Sequence, residues 1–333
     1  MAQCKKMCCR WTDDCFPPCN ASICPGREWK ECYNKMEWKR ADKIPAITDD
    51  EGCVCMFGEG CDIKIGEFKN QALVNAMSNL KHVIHKCCPQ RECNEQGVYC
   101  FEFGTKCKVM IDDCLLTKNM CPCFSTAKGG HEMWMALMEK AYAKHLGAFC
   151  RLEGCDYTHC AMRDFTGAPS VNITKDKFDF KTIQEAMGMC FILSAMCKME
   201  NNVGICQYAA YPILECAQVK DKSGKECCII KVRNPWGKEY TGKWKNAGGE
   251  CWTPEARQKC KVADKDDGTF WCEMNDWDCI DCCKYNEKCT YSCIESTKKC
   301  CVYKVRVPKK GNYTFAVSQK DCKMFPPYCG YEY

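Results

Sequence analysis

Cysteine is the residue type whose number first asks for a chemical explanation. It occupies 39 of 333 positions, about 12%, which is several times its usual share. A structural zinc site usually shows two close pairs of ligands at a defined separation. The chain has one CxxC spacing, Cys279 to Cys282, and scattered CxxxC pairs at Cys4/Cys8, Cys15/Cys19 and Cys289/Cys293. The five histidines complete no such pattern, so no structural zinc is expected. They are His82, His85, His131, His145 and His159.

The state of these thiols depends on the compartment in which the chain folds. The first residues, MAQCKKMCCRW, contain no apolar core of the length that a signal peptide needs. This favours a cytoplasmic protein, in which thiols stay reduced. A secreted structural protein stabilised by disulfides is the alternative that the cysteine count alone suggests. No run of about 18 apolar residues occurs, so no membrane span is expected.

Charge and composition narrow the function classes further. Lys plus Arg total 48 and Asp plus Glu total 43, a formal net charge of +5 that is spread along the chain. Binding to nucleic acid needs clustered positive charge and is therefore not expected. Apolar residues make up 46% and charged residues 27% of the chain, which is typical of a folded protein. The length allows a sizeable core and about two domains.

The first half of the chain is predicted to be rich in helix. Residues 70–80 place Leu73, Met77 and Leu80 on one face, with Asn70 as the N-cap. Residues 131–146 carry an apolar face at helical spacing, and Gly147 is expected to end that helix. Two alternating strands within residues 99–111, joined at Gly104 and Thr105, predict a hairpin.

The second half is predicted to be rich in strands. Thr182 and Glu185 have the spacing of a capping box at the start of a helix. The apolar run 191–197 favours a buried strand, and residues 205–233 favour several short strands around a polar turn. A final hairpin is predicted from 302–307 and 313–318. This order of elements indicates an α+β fold with two lobes, preceded by an irregular arm that packs through Trp11, Trp29 and Trp38.

Several segments, taken in order, resemble the calpain family of papain-like cysteine proteases. They are CKVMIDDCLLTKN (107–119), EMWMALMEKAYAKHLGAF (132–149), RDFTGAP (163–169), VRNPWGKEYTGKW (232–244) and DDGTFWCEMNDW (266–277). The resemblance covers about residues 45–298 and implies a papain-like core of two lobes. The domains it implies are an irregular Cys- and Trp-rich arm (1–48), a first protease lobe (49–165), a second protease lobe (166–298) and a partial β-sandwich-like segment containing the hairpin (299–333).

The resemblance also says where catalytic residues should stand. Such a core needs a cysteine thiolate at a helix N-terminus, a histidine to move the proton, an asparagine to orient it and a glutamine for the oxyanion. Aligned without a gap, the nucleophile position is Gln71 and the oxyanion position is Ile65. The histidine position is Ala209, whereas Asn234 and its neighbour Trp236 are retained. The chain is therefore expected to be a catalytically inactive member of the family.

Calpain protease lobes can also bind calcium through carboxylates. Asp62 falls at an acidic family position in the first lobe, and Glu239 and Asp267 match acidic positions in the second. Asn246 and Thr269, however, stand where carboxylates are expected, and calcium prefers six to eight oxygen ligands with several charges. These three acids are weak calcium candidates, and no cofactor is predicted.

A retained scaffold with an erased triad predicts a structural or scaffolding role. Family members without the triad are frequent in protists, where several are cytoskeletal or flagellar. The resemblance thus implies a cytoskeletal or ciliary microtubule assembly, with tubulin or axonemal proteins as partners. Two further functions stay open. One is an active protease rewired through Cys61, His131 or His159, and the other is a calcium-regulated binding module.

Overall fold

A six-stranded antiparallel sheet dominates the second half of the chain. The computed structural model describes residues 10–25, 31–49, 53–57, 81–90, 92–104, 107–123, 131–152, 158–197, 203–206, 209–234, 240–263, 268–285, 305–307, 309–311 and 313–316. The strands in these ranges are β1 (Glu37–Arg40), β2 (Val98–Phe103), β3 (Cys107–Asp112), β4 (Cys114–Lys118), β5 (Cys121–Pro122), β6 (Ser170–Thr174), β7 (Ile192–Cys197), β8 (Ala209–Lys220), β9 (Glu226–Arg233), β10 (Thr269–Glu273) and β11 (Cys279–Cys283). The large sheet has the order β10-β9-β8-β7-β11-β6.

Helices and smaller strand groups make up the first half. The α-helices are α1 (Asn20–Ile23), α2 (Lys81–Cys87), α3 (Trp134–Leu146), α4 (Thr158–Thr166), α5 (Phe180–Gly188) and α6 (Pro254–Lys259). Strands β2 and β3 form the predicted hairpin, and β1, β4 and β5 form a three-stranded sheet. The chain therefore has the α+β fold that its sequence predicts.

Local sequence explains several of these elements. In β2 the aromatic residues Tyr99, Phe101 and Phe103 are buried and their neighbours are not, as the period of two in a strand requires. Helix α3 ends at Gly147, whose φ of 96° is accessible to glycine without strain. The prediction of its end is confirmed. The predicted apolar face is buried, and the burial extends beyond it to Glu139 and Lys140.

The start of helix α5 corrects the predicted capping box. Its N-cap is Asp179, whose carboxylate accepts a hydrogen bond from the Thr182 amide at 2.7 Å. Thr182 is thus the third residue of the helix rather than its cap. The helix therefore begins three residues earlier than the capping-box spacing of Thr182 and Glu185 indicates. Strand β7 is buried along its whole length, as predicted.

Each half of the chain has its own core. The first is built mainly from residues before 170, among them Tyr99, Phe101, Trp134, Leu137 and Phe165. The second contains Tyr211, Ile230, Trp244, Phe270 and Trp277. Helix α4 joins them because it lies against β6 and β11, and its Thr166 hydroxyl is 3.3 Å from the Cys283 sulfur. These two cores give the two lobes of the papain-like arrangement.

The amino-terminal segment is more ordered than predicted. Strand β1 pairs with β4 from Glu37 to Arg40, and the Arg40 guanidinium donates to Asp113 at 2.6 Å. Trp38 packs edge-on against Phe149, with ring centroids 5.8 Å apart. Trp11, in contrast, is exposed. The irregular arm of the prediction is thus wrong for residues 37–40, since the free edge of β4 offers them hydrogen bonds. Trp29 lies outside the described residues.

The C-terminal hairpin is not seen in the described residues. Residues 305–307, 309–311 and 313–316 belong to no strand, and Val305, Val307 and Phe315 are exposed. The remaining parts of the predicted hairpin, residues 302–304 and 317–318, lie outside the described residues. No helix in the described ranges has the length and hydropathy needed to cross a membrane.

Candidate active-site region

The second lobe brings two of the predicted catalytic positions to one end of neighbouring strands. Ala209 is the first residue of β8, and Asn234 directly follows the last residue of β9. Because β8 and β9 are antiparallel, the beginning of one strand lies beside the end of the other. Ala209 has no exposed surface and Asn234 retains 3%. The topology thus juxtaposes the histidine and asparagine positions, but one of them carries only a methyl group.

Asn234 is held by the backbone of the loop before β10. Its backbone N–H donates to the carbonyl of Gly268 at 2.7 Å. The φ of 74° at Gly268 is one that glycine adopts without strain. The neighbouring Asn246 donates from Nδ2 to the Thr269 carbonyl at 2.8 Å. The first bond ties the end of β9 to the residue before β10, and the second ties the segment 240–253 to the first residue of β10. The first bond gives Asn234 a structural place that does not depend on a histidine.

The other predicted site positions lie outside the described residues. They are the nucleophile position Gln71, the oxyanion position Ile65, Trp236, the calcium candidates Asp62, Glu239 and Asp267, the alternative nucleophile Cys61, and the predicted helix 70–80. Within the ranges that the structure describes, no group of three or more His, Cys, Asp or Glu side chains is arranged to hold a metal ion.

His159 corrects a sequence interpretation. The sequence indicates a polar loop, whereas the structure places His159 as the second residue of helix α4. Its Nδ1 is 3.4 Å from Oδ1 of Asp281 on β11. Burial would lower the pKa of this imidazole, but hydrogen bonds to Asp281 and Cys160 outweigh it and raise the pKa to about 10. The ring is therefore an imidazolium at neutral pH and supports the packing of α4 on the large sheet.

His131 lies beside the short pairing of Cys55 with Glu132. It precedes helix α3 rather than beginning it, and it is exposed. Its carbonyl accepts a hydrogen bond from the Cys55 amide at 3.1 Å, within a short bridge between Cys55 and Glu132. The structural contact of His131 is therefore made by its backbone carbonyl and not by its imidazole.

Many cysteines act as small apolar residues of the cores. Cys87 lies in the first core, and Cys260, Cys272 and Cys282 lie in the second. Burial raises the pKa of the Cys87 thiol to about 12 and that of Cys260 to about 11. Such thiols are poor nucleophiles because the thiolate is the reactive form. The cysteine excess therefore contributes largely to packing in these cores.

Two cysteines in or beside regular elements are exposed. Cys190 lies just after helix α5, and Cys107 is the first residue of β3. The Cys107 sulfur is 3.6 Å from Nδ1 of His145. Sequence reasoning interpreted His145 only as a helix-face residue, and nothing local links it to a strand 38 positions earlier. The pair exists because α3 packs against β3.

The family match agrees with this two-lobed architecture. Residues 11–284 match the family described as "Calpain family cysteine protease". The chain belongs to the calpain family. The match begins within the predicted amino-terminal arm, consistent with the pairing of β1 with β4. Family membership by itself does not state which catalytic residues a member retains.

Curated calpains from plants and animals are similar to this family member. "Calpain-type cysteine protease DEK1" of Arabidopsis thaliana is 27% identical, over 80% of this chain and 14% of the relative. Mouse "Calpain-8" is 31% identical, over 65% of this chain and 34% of the relative. Rat "Calpain-1 catalytic subunit" is 27% identical, over 80% of this chain and 40% of the relative. The chain thus spans less than half the length of these relatives.

Proposed function

We propose that this calpain-family chain is a catalytically inactive scaffold, a structural component of a cytoskeletal or ciliary microtubule assembly. The observation that carries the first part is Ala209. It starts β8 beside the retained Asn234 and is completely buried. A methyl group neither accepts a proton from a nucleophile nor gives one to a leaving amine. Loss of the base alone typically costs a protease several orders of magnitude in rate.

The nucleophile position supports the same proposal. In the gapless comparison with the family motif it is Gln71, and a carboxamide does not replace a thiolate. Asn234 is better explained as a structural residue, since its backbone joins β9 to the loop before β10. Two lobes with intact cores and no proton acceptor at Ala209 favour binding over hydrolysis.

A hydrolysis assay tests the loss of catalysis. Purified full chain is incubated with casein and with a fluorogenic calpain peptide, with and without calcium, beside an active calpain. We expect no hydrolysis above the buffer rate. The variant Ile65→Gln/Gln71→Cys/Ala209→His is the matched control, because it restores the oxyanion donor, the nucleophile and the base that the family motif contains. Hydrolysis by the natural chain that disappears when one cysteine is replaced by serine would sink the proposal and favour a rewired protease.

A co-sedimentation assay tests the proposed assembly. The chain is mixed with stabilised microtubules, and the pelleted fraction is measured as the tubulin concentration rises. We expect saturable pelleting, with tubulin or an axonemal protein as the direct partner. A sample without microtubules controls for aggregation. Failure to pellet with either microtubules or detergent-extracted axonemes would contradict the proposed cytoskeletal role. It would not affect the proposal that the chain is catalytically inactive. Binding that appears only with calcium would favour the calcium-regulated module instead.

A further inference from the structure

A thiol and an imidazole meet on the surface of the first lobe. The Cys107 sulfur lies 3.6 Å from His145 Nδ1, within the range for a hydrogen bond to sulfur. Cys107 is an exposed thiol at the start of β3. His145 lies in the last turn of α3. Neither residue stands at a position of the erased triad, whose described members Ala209 and Asn234 belong to the second lobe.

Aromatic contacts hold the His145 ring in place. Its centroid is 5.5 Å from that of Phe103 and 6.1 Å from that of Tyr142, against which it is stacked at 19°. Phe103 is the direct cross-strand partner of Cys107 in the β2–β3 hairpin. The same residue therefore positions the ring and the strand that carries the thiol. This packing keeps Nδ1 near the sulfur instead of leaving it to a freely rotating side chain.

Two features beside His145 interact favourably with positive charge on its ring. The carbonyl end of a helix attracts positive charge, and His145 is one residue from the end of α3. The Asp164 carboxyl group on α4 interacts electrostatically with His145, although burial raises the pKa of this carboxyl, and it also accepts a hydrogen bond from the Tyr142 hydroxyl at 3.1 Å. A nearby imidazolium stabilises a thiolate over a thiol. Both ingredients of an ion pair between Cys107 and His145 are thus present.

Other charges around the pair are accounted for. Arg163 donates to Asp164 at 3.2 Å and reduces the field of that carboxylate. On α2, the Lys86 ammonium donates to the Gly104 carbonyl at 3.2 Å, three residues before Cys107. Glu102 and Lys108 face each other across the hairpin next to the pair of Phe103 and Cys107, and their opposite charges largely cancel. The ammonium of Lys144, beside His145, is taken up by the Asp13 carboxylate.

We propose that Cys107 is a reactive thiol, activated by His145, that is modified by low-molecular-weight disulfides such as oxidised glutathione. The Cys107 thiolate attacks one sulfur of the disulfide, and a Cys107–S–S bond forms as the original S–S bond breaks. Cys107 is oxidised, and the other half of the disulfide is reduced and leaves as a thiolate. That leaving thiolate takes the proton held by His145, so protons and electrons balance.

The buried cysteines provide the contrast that makes this site selective. Desolvation raises the pKa of Cys87 to about 12 and that of Cys114, also in the first lobe, to about 11. Those thiols have neither exposure nor thiolate character at neutral pH. Cys121 is an exposed thiol at the start of β5, with no hydrogen bond to a histidine among the described contacts. It is the matched internal control, because it differs from Cys107 in lacking the imidazole.

Pulsed alkylation of the full chain tests the proposal. The natural protein is exposed briefly to iodoacetamide at pH values from 6 to 9, and labelling of the peptides with Cys107 and Cys121 is quantified by mass spectrometry. The labelling rate of an ordinary thiol, with a pKa of about 8.5, rises about tenfold per pH unit below that value, and the Cys121 peptide is the reference measured in the same sample. The Cys107 rate should change less than about twofold above pH 7 and exceed that of Cys121 by about tenfold at pH 7. A Cys107 profile that follows Cys121 overturns the proposal without any variant.

A variant assigns the effect to the imidazole. His145→Gln keeps a polar side chain of similar reach but supplies no cation. We expect it to give Cys107 the steep pH profile of Cys121 and to slow its reaction with oxidised glutathione about tenfold at pH 7. Thermal unfolding and the unchanged profile of Cys121 check that the variant is folded. If Cys107 keeps a flat profile in folded His145→Gln, the imidazole is not its activator and the proposal fails. Since no hydrolysis is measured, this outcome is independent of the proposed scaffold function.

Discussion

The two lobes differ in the buried ion pairs that they contain, although both have close aromatic contacts. The first encloses charges, since the Lys140 ammonium is bound by the Asp112 carboxylate and neither side chain is exposed. Asp113, equally enclosed, binds Arg40 at 2.6 Å and Arg10 at 3.1 Å. The second lobe relies on aromatic packing, with Tyr211 edge-on to Trp277 at 5.0 Å and Trp244 to Trp252 at 4.7 Å.

This difference determines which segments of the chain each lobe contacts. In the first lobe the buried charges recruit the amino-terminal segment, because Arg10 and Arg40 come from it to satisfy Asp113. Burial raises the pKa of Asp113 even though hydrogen bonding to Arg40 and the two positive charges oppose it. In the second lobe Ala209 belongs to a core that is largely aromatic and aliphatic. Removing charge should therefore damage the first lobe, and removing volume the second.

The largest effect should come from Trp277→Ala. Trp277 has no exposed surface and contacts Tyr211 in the second core. Truncating a buried tryptophan leaves a cavity and should lower the free energy of unfolding by about 4 kcal/mol. Urea unfolding followed by circular dichroism measures this. Trp277→Phe is the control and should lose less. A loss below about 1 kcal/mol would mean that the second core is not organised around this ring.

Lys140→Met should destabilise by about 3 kcal/mol, because it leaves Asp112 charged and enclosed without its partner. The lysine also donates to the Cys114 carbonyl at 2.7 Å and lies over the Trp38 ring. The double variant Lys140→Met/Asp112→Leu should recover much of the loss, since it removes both charges. If the double variant is no more stable than the single one in urea unfolding, the cost lies in packing and the contrast between the lobes weakens.

His159 at the junction of the lobes should make stability depend on pH. Its folded-state pKa of about 10 lies above the unfolded value of 6.5. The stabilisation is therefore complete below pH 6.5 and declines as the pH rises towards 10. His159→Gln should remove about 1–2 kcal/mol at pH 7 after allowance for solvent screening. It should cost less at pH 10. Parallel pH dependences of the natural chain and the variant would contradict the ion pair with Asp281, for which Asp281→Asn is the reciprocal test.

The smallest effect should come from Thr253→Ala. The Thr253 hydroxyl accepts a hydrogen bond from the Ala256 amide at 3.1 Å and caps helix α6. Losing such a cap costs about 1 kcal/mol, well below the effect of opening the second core. Thr253→Ser keeps the oxygen and should be nearly neutral. Thermal unfolding distinguishes the two variants, and equal losses would mean that the hydroxyl bond is not what stabilises this turn.

Local sequence determined much of the fold. The alternation around Tyr99 predicted a hairpin, Gly147 predicted the end of α3, and the run 191–197 predicted a buried strand, because each depends on periodicity or backbone freedom within a few residues. The motifs around EKAYAK and RNPWG also led to the calpain family. The cap at Asp179 escaped prediction since Thr182 and Glu185 also have the spacing of a capping box, and only the hydrogen bond from the Thr182 backbone amide to Asp179 identifies the cap.

Tertiary structure alone decided the charged and reactive pairs. His159 meets Asp281 and Cys107 meets His145 because helices α4 and α3 pack on strands that are distant in sequence. The sequence does not predict either pair, since the residues around His145 and His159 do not indicate which distant side chain each histidine contacts. By itself the sequence determined which side chains stand at Gln71 and Ala209 and so which chemistry those positions lack. Only folding places an imidazole beside Cys107, because the interaction depends on the distance between the two side chains, and the packing of α3 on β3 sets that distance.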